Sequence, residues 1–391
     1  MAGIFHLKGT VKHYDWGGTS FIPELLDQPN ETHKPFAEYW MGIHPQGIST
    51  IDIPDGGCRP LTQWTENLSY LLKVLDVKDM LSIQVHPSKK EAEKGFAAEN
   101  VAGVPLDSPN RNYKDDNHKP ELMLALSDFW LLHGFKPVEE LLDTLIHISE
   151  LQDLLPIFNT QGYAALYRHI MEMPQEEVNG ILKPLVQKIV PLYNQGKLKK
   201  GEEDYWAAKA AITFDKGENI DRGIFSVYLF NIVHLKKGEA IFQDAGVPHA
   251  YLEGQNVEIM ANSDNVLRGG LTSKHIDVQE LLTHTKCEAT WPDILEGVTV
   301  GKEKLYKTPA PDFELSSFEL DKGESIGLNP VSTEILLLLN GELHVNAADN
   351  EPVILKRGKV SAVLLPGQAV TLRADGHCLV FRAKTPIPIS G

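Results

Sequence analysis

The chain has 391 residues, more than the ~250–300 at which one hydrophobic core stops growing, so two or three structural units are expected. Hydrophobic residues at 42% and charged residues at 23% are ordinary globular values and exclude overall disorder. The formal charge of -16, from 37 basic and 53 acidic residues, argues against nucleic acid as a partner, because binding it needs a basic surface; a small anionic substrate stays open, since exposed charges are screened over ~8 Å at physiological salt.

Up to about Pro137 the chain alternates short extended runs. Leu81-Ser-Ile-Gln-Val-His86 has period two and predicts a strand. Ser88 followed three residues later by Glu91 is a capping-box pair and predicts a helix start. Residues 99–117 predict a long polar loop, a kind of segment that often carries function. A strand is expected again over 121–126. Residues 138–222 differ in texture: Leu141, Leu145, Ile148, Leu166, Ile170, Val178, Leu182, Leu185 and Ile189 fall at helical spacing. They predict a helical insertion of about four helices, with Pro174 ahead of one start. Strand texture returns at Ser226, with a strand expected over 227–235 and a turn at Lys237-Gly238. A helix is expected over 277–285. After Thr308 short strands follow at regular spacing (334–339, 342–345, 353–355, 360–365, 369–372 and 378–381), in the style of a β-sandwich or barrel.

Cys58, Cys287 and Cys378 form no CxxC pair, and an odd number set far apart predicts reduced thiols in a cytoplasmic protein. The run Met1 to Lys8 lacks the form of a signal peptide. No apolar run approaches the ~18 residues of a membrane span, so no membrane partner is expected.

Four segments concentrate groups that do chemistry. Gln84 and His86 lie two apart on a predicted strand and so share a face. Alone, such a pair is more often structural than metal-binding. Tyr113-Lys-Asp-Asp-Asn-His-Lys-Pro-Glu121 packs His118, Lys119 and Glu121 where a loop enters a strand. Gly238 to Leu252 runs Gly turn, strand, Gly-Val-Pro turn, then His249 at a strand start, which has the form of the second half of a cupin motif. Asn256 to Lys274 is dense in polar groups yet flanked by apolar ones.

Together these segments resemble the type I phosphomannose isomerases. The family pattern Tyr-x-Asp-x-Asn-His-Lys-Pro-Glu is matched by Tyr113, Asp115, Asn117, His118, Lys119, Pro120 and Glu121, and His-Ala-Tyr-Leu…Met-Ala-x-Ser-Asp-Asn-x-x-Arg is matched from His249 to Arg268. Leu81 to Pro87, Tyr14-Asp-Trp-Gly17 and Ala37-Glu-Tyr-Trp-Met-Gly42 fit as well. The chain departs at Gly269, where the family usually has Ala, and at Ser273, where it usually has Pro.

The resemblance implies a mainly β fold with a helical insertion: two cupin-type (jelly-roll) β-barrels plus an all-α domain. We expect a catalytic cupin unit over 1–137 and 223–300, the insertion over 138–222, and a metal-free cupin-like unit over 301–391, where His344 and His377 belong to no ligand cluster. It implies one zinc ion per chain, held by Gln84, His86, Glu121 and His249, and interconversion of mannose 6-phosphate and fructose 6-phosphate. Two imidazoles, a carboxylate and an amide oxygen suit such an ion. The neutral amide withdraws less of its positive charge than a second carboxylate would, leaving a stronger Lewis acid.

The reaction moves hydrogen between C1 and C2, through a cis-enediol or by a hydride shift. The enediol route needs proton carriers and stabilisation of an oxyanion. Arg268 suits the oxyanion because its charge is permanent. Lys119 with Asp264 is the favoured pair of proton carriers; His86 and a metal-held water are alternatives. Lys73, Ser82 and Lys274 are expected to bind the phosphate, with His118 as a further substrate contact. Rival readings are an isomerase of a related unphosphorylated sugar, a non-enzymatic sugar-binding cupin, and an iron-dependent cupin oxygenase. A monomer or weak homo-oligomer is expected.

Overall fold

The computed structural model describes residues 3–386 except 54, 55, 215, 216 and 349; the outer ends of the expected units, 1–2 and 387–391, lie outside the described residues. The fold is mainly β, with helices concentrated between residues 138 and 229. Strands form an 11-stranded sheet, a nine-stranded sheet and a four-stranded sheet.

The 11-stranded sheet is organised around the long strand His249–Ala261. It pairs with Tyr70–Val77, Glu121–Ala125 and Phe129–Phe135, and through His249 with Ile83–Val85. Alternation along Tyr70–Val77 explains its complete burial. Tyr70, Leu72 and Val74 face a core shared with Leu315, Ile335, Leu337 and Phe381 of the nine-stranded sheet. Lys73 points to the opposite face, with Leu75 and Val77.

The helices behave as their spacing predicts. Ser88 caps Lys89–Val101, accepting from the Glu91 N–H, and Asp277 caps Val278–His284 in the same way. Four α-helices, Val138–His147, Leu155–Glu172, Gln175–Asn194 and Glu203–Thr213, fill the insertion. Their apolar faces pack against Ile83, Val85, Leu132, Ala250 and Leu267, the outer side of the strands that bear the site.

Three expectations are corrected. The strand expected over 227–235 is helix over Gly223–Leu229 and strand only over Phe230–Leu235. Every residue of that helix is buried, so its sequence is apolar all round and has no period to read. The strand Gly3–Lys8, expected with the catalytic unit, pairs with Ser361–Leu365, and with Thr50–Asp52 it extends the nine-stranded sheet. The C-terminal region does bring ligand-type groups together: one donor atom each of Glu342, His344 and Asp375 lies within 4.8 Å of the others, all at least partly exposed.

Candidate active site

The short strand Ile83–Val85 sets the register of the site. Gln84 pairs with His249 on one side and with Arg268 on the other. Paired residues in adjacent strands share a face, so imidazole, amide and guanidinium form one row. Glu121 opens its strand opposite Met260, and His86 follows the end of Ile83–Val85.

One donor atom each of His86, Glu121 and His249 lies within 4.8 Å of the others, and all three residues are buried. His86 Nε2 is 3.6 Å from Glu121 Oε1, and His249 Nε2 is 3.4 Å from Glu121 Oε2. Both imidazoles turn Nδ1 away: His86 Nδ1 is 2.8 Å from the Asn265 carbonyl, and His249 Nδ1 is 3.0 Å from the Val247 carbonyl. A carbonyl can only accept, so each Nδ1 carries a proton, and in the neutral ring that leaves the lone pair on Nε2. Burial, reinforced by the Lys119 charge, pulls the His86 imidazole down to about 4. Burial also pushes the Glu121 carboxyl upward, but Lys119, His86 and His249 outweigh it and hold it well below the usual range. Neutral imidazole and ionised carboxylate are the states that bind metal. His86 Nε2 is buried without a hydrogen-bond partner, an orphan that a metal ion would satisfy. The donor set therefore fits zinc.

Gln84 lines both this inner pocket and a cleft of about 990 Å³. Ser82, Arg268, Thr272 and Lys274 lie on the cleft wall, together with Tyr14 and Trp16, and Ile212, Thr213 and Phe214 also border it. Burial draws the Arg268 guanidinium below its usual value; burial and the neighbouring Arg268 charge draw Lys274 down. Among the described residues neither cation has an ion-pair partner. Two unpaired cations repelling each other in one cavity make an anion site.

Asp221 shapes this wall. Its carboxylate accepts from the N–H groups of Gly223, Leu271 and Thr272 at 2.8, 2.8 and 3.2 Å, holding Leu271 at φ +52, a conformation that costs energy for a residue with a branched side chain. Both departures from the family pattern have local reasons. A Cβ at Gly269 would sit 2.8 Å from the Tyr167 hydroxyl and 2.9 Å from Ile83 Cγ2, so the bulge beside Arg268 has no room for alanine. At Ser273 the Thr272 hydroxyl accepts from the Lys274 N–H at 3.1 Å, a side-chain turn that stands in for proline.

The structure thus brings together Gln84, His86, Glu121, His249 and Lys119, whose Nζ is 2.9 Å from Glu121 Oε1, and places Ser82, Arg268 and Lys274 on the adjoining wall. Four expected roles need correction. Lys73 does not reach the cleft: its ammonium is buried 2.9 Å from Glu258 and 3.8 Å from Glu38, and burial, which opposes its charge, is outweighed by Glu258 and Glu38, so its pKa is raised. A cation already neutralised there cannot bind the phosphate. His118 is turned to Asp312, 2.7 Å from Nε2, far along the chain and outside the cleft lining. Asp264 is held by Gln46 at 2.9 Å and lies 3.4 Å from His44, and it lines neither cavity. His86 cannot both ligate and carry a proton, since the Asn265 carbonyl engages Nδ1 and a metal would engage Nε2.

Sequence reasoning missed Glu38, Glu258 and Tyr251. The Tyr251 hydroxyl donates to Glu258 at 2.7 Å, and the Trp40 indole donates to Glu38. The available signal was a lone carboxylate inside an apolar run, in Ala37-Glu-Tyr-Trp and Asn256-Val-Glu-Ile-Met. Replacing Lys73 by methionine strands both carboxylates in the interior and is expected to cost about 3–5 kcal/mol, read as a lowered urea midpoint.

Residues 4–138 match the family model described as phosphomannose isomerase type I, catalytic domain. The chain is 35% identical over 392 residues to mannose-6-phosphate isomerase of Salmonella typhimurium, covering 94% of each chain. It is 34% identical to the Rattus norvegicus mannose-6-phosphate isomerase, covering 97% of this chain and 98% of that one. Its structure is similar to the crystal structure of the Salmonella typhimurium enzyme bound to its substrate fructose 6-phosphate and zinc, with a TM-score of 0.85, 31% identity, and coverage of 99% of this chain and 100% of that one.

Proposed function

The chain belongs to the type I phosphomannose isomerase family, and from that premise we propose how its own side chains carry the reaction. It is a zinc-dependent isomerase that interconverts mannose 6-phosphate and fructose 6-phosphate. The observation behind our reading of the site is its two-part form. A buried His-Glu-His cluster joins, through Gln84, a cleft whose wall carries two unpaired cations.

His86, Glu121 and His249, with Gln84 as the fourth, are the proposed zinc ligands. When bound, zinc supplies Lewis-acid polarisation of the sugar oxygens. The C1–C2 end of the sugar enters the inner pocket, and the phosphate lies against Lys274 and Ser82. Arg268, opposite Gln84 in the ladder, faces the oxygens on which negative charge grows as C2 or C1 loses its proton. Lys119, ion-paired to Glu121, takes the proton from C2 or C1 as the free amine and returns it to the other carbon, while the hydroxyl proton passes between O2 and O1 across the enediolate. Tyr14, Trp16 and Phe214 flank the cleft and shed water from the sugar face.

Turnover of fructose 6-phosphate in deuterated water tests the enediol route. Removal of a C1 proton and delivery of a proton to C2 is expected to place deuterium at C2 of the mannose product; a hydride shift carries the C1 hydrogen across and places none. The unpaired cations favour a phosphorylated sugar over the rival unphosphorylated one. Lys274→Ala is expected to raise KM for mannose 6-phosphate about 10–100-fold, the ~1.5–3 kcal/mol of a hydrogen bond to a charged group, with kcat little changed.

The two large sheets support a division into two cupin-type barrels with the 138–222 helices as an all-α unit. The Gly3–Lys8 strand then belongs with the 301–391 barrel. No helix of the described residues is long and apolar enough to cross a membrane. A cytoplasmic location accords with the three free thiols; the expected assembly is a monomer or weak homo-oligomer, which light scattering measures.

A further inference from the structure

Two segments that stood out for their density of short polar residues, 115–117 and 263–265, line neither the cleft nor the inner pocket. They bind each other. Asn265 is 0% exposed. Its side-chain Oδ1 accepts from the N–H groups of Lys114 at 2.7 Å and Asp115 at 3.3 Å. Its Nδ2 donates to the carbonyls of Asp115 at 2.8 Å and Asn117 at 2.9 Å. The Asp115 carboxylate accepts in return from the Ser263 hydroxyl at 2.8 Å and the Asp264 N–H at 2.7 Å. The backbone carbonyl of Asn265 faces the other way and accepts from His86 Nδ1 at 2.8 Å.

We propose that Asn265 is a positioning residue for the metal centre. Its amide pins the 114–117 segment, which runs directly into Lys119 and Glu121, while its carbonyl holds the His86 ring in the Nδ1–H form with Nε2 toward Glu121. One buried residue thereby aligns two proposed ligands from segments distant in the chain. The physical basis is the general one for metal-bound histidine: a rigid acceptor at the distal nitrogen sets tautomer and ring angle, and its loss typically costs 10–100-fold in metal affinity. A loop staple with no bearing on the metal would instead lower stability and leave zinc affinity alone. The proposal rests on the reading of His86 and Glu121 as ligands.

Zinc release from the zinc-loaded chain into excess chromophoric chelator separates the two. Asn265→Ala keeps the backbone carbonyl but removes the amide that fixes both it and the 114–117 segment; it is expected to release zinc several-fold faster, up to the roughly 10–100-fold of losing a distal acceptor outright, with most of kcat recovered in saturating zinc. Ser263→Ala, which removes the hydroxyl that donates to Asp115 and accepts from the Asn265 N–H at 3.2 Å but leaves the Asn265 amide in place, is a milder variant and is expected to shift release in the same direction by less. Wild-type release rates in folded variants overturn the proposal. Nitrogen-15 spectra of the zinc-loaded wild type need no variant: His86 is expected to carry its proton on Nδ1, and metal on Nδ1 overturns the proposal. A wild-type chain that holds no zinc refutes the ligand reading itself, whereas zinc held equally tightly by wild type and variants refutes only the positioning role.

Discussion

Glu121→Gln is expected to abolish turnover, by about 10³-fold or more, because it removes the carboxylate that, among the described residues, converges with His86 and His249 and with it the several kcal/mol of a bound Lewis acid. The change is isosteric, so packing is nearly preserved. What alters is charge. Two neutral imidazoles and two amides attract a divalent cation much less than a set that includes an anion, and Lys119 Nζ, 2.9 Å from Glu121 Oε1, is left as an unpaired positive charge at the same spot. Metal content measured beside activity checks this. Zinc should fall to a small fraction of an ion per chain, and millimolar zinc should restore part of the activity of Glu121→Gln and none of Glu121→Ala. Full zinc content with full activity in Glu121→Gln would remove Glu121 from the ligand set.

Arg268→Ala is expected to lower kcat by about 10²–10³-fold, the loss seen when one donor to a developing oxyanion is removed, with zinc content unchanged. The guanidinium sits across from Gln84 in the ladder, on a strand whose bulge is wedged between Tyr167 and Ile83. Its position is therefore set by packed backbone. Arg268→Lys is expected to recover little: an ammonium keeps the charge but loses the planar fork of donors. Stopped assays at saturating substrate separate this from Lys274→Ala, whose effect falls on KM. A kcat near wild type in Arg268→Ala would move Arg268 from the oxyanion to plain substrate attraction.

Much of the site could be read before any coordinates. Gln84 and His86 share a strand face, Lys119 and Glu121 close a loop into a strand, and His249 follows a Gly-Val-Pro turn; each is a local relation within a few residues. The capping residue Ser88 was legible for the same reason, since a cap acts over three residues. The readings that failed all depend on partners distant in the chain. Lys73 looked like an available cation because Glu258, its neutraliser, is 185 residues away. His118 looked like a substrate contact because Asp312 is 194 residues away. The pairing of Gly3–Lys8 with Ser361–Leu365 spans nearly the whole chain and leaves no local signal.

The Gln84-Val85-His86 segment shows where the division falls. Its sequence alone determined the donor types, their common face and hence the kind of ion they suit, because side-chain chemistry and the two-residue period of a strand are local. Only the tertiary structure decided that His249 and Arg268 flank Gln84, that the Asn265 carbonyl engages His86 Nδ1, and that Lys73 is neutralised by Glu258 whereas Arg268 and Lys274 have no ion-pair partner among the described residues. Coulombic and hydrogen-bond energies depend on separation in space, and a linear sequence does not state which distant residues the fold brings within reach.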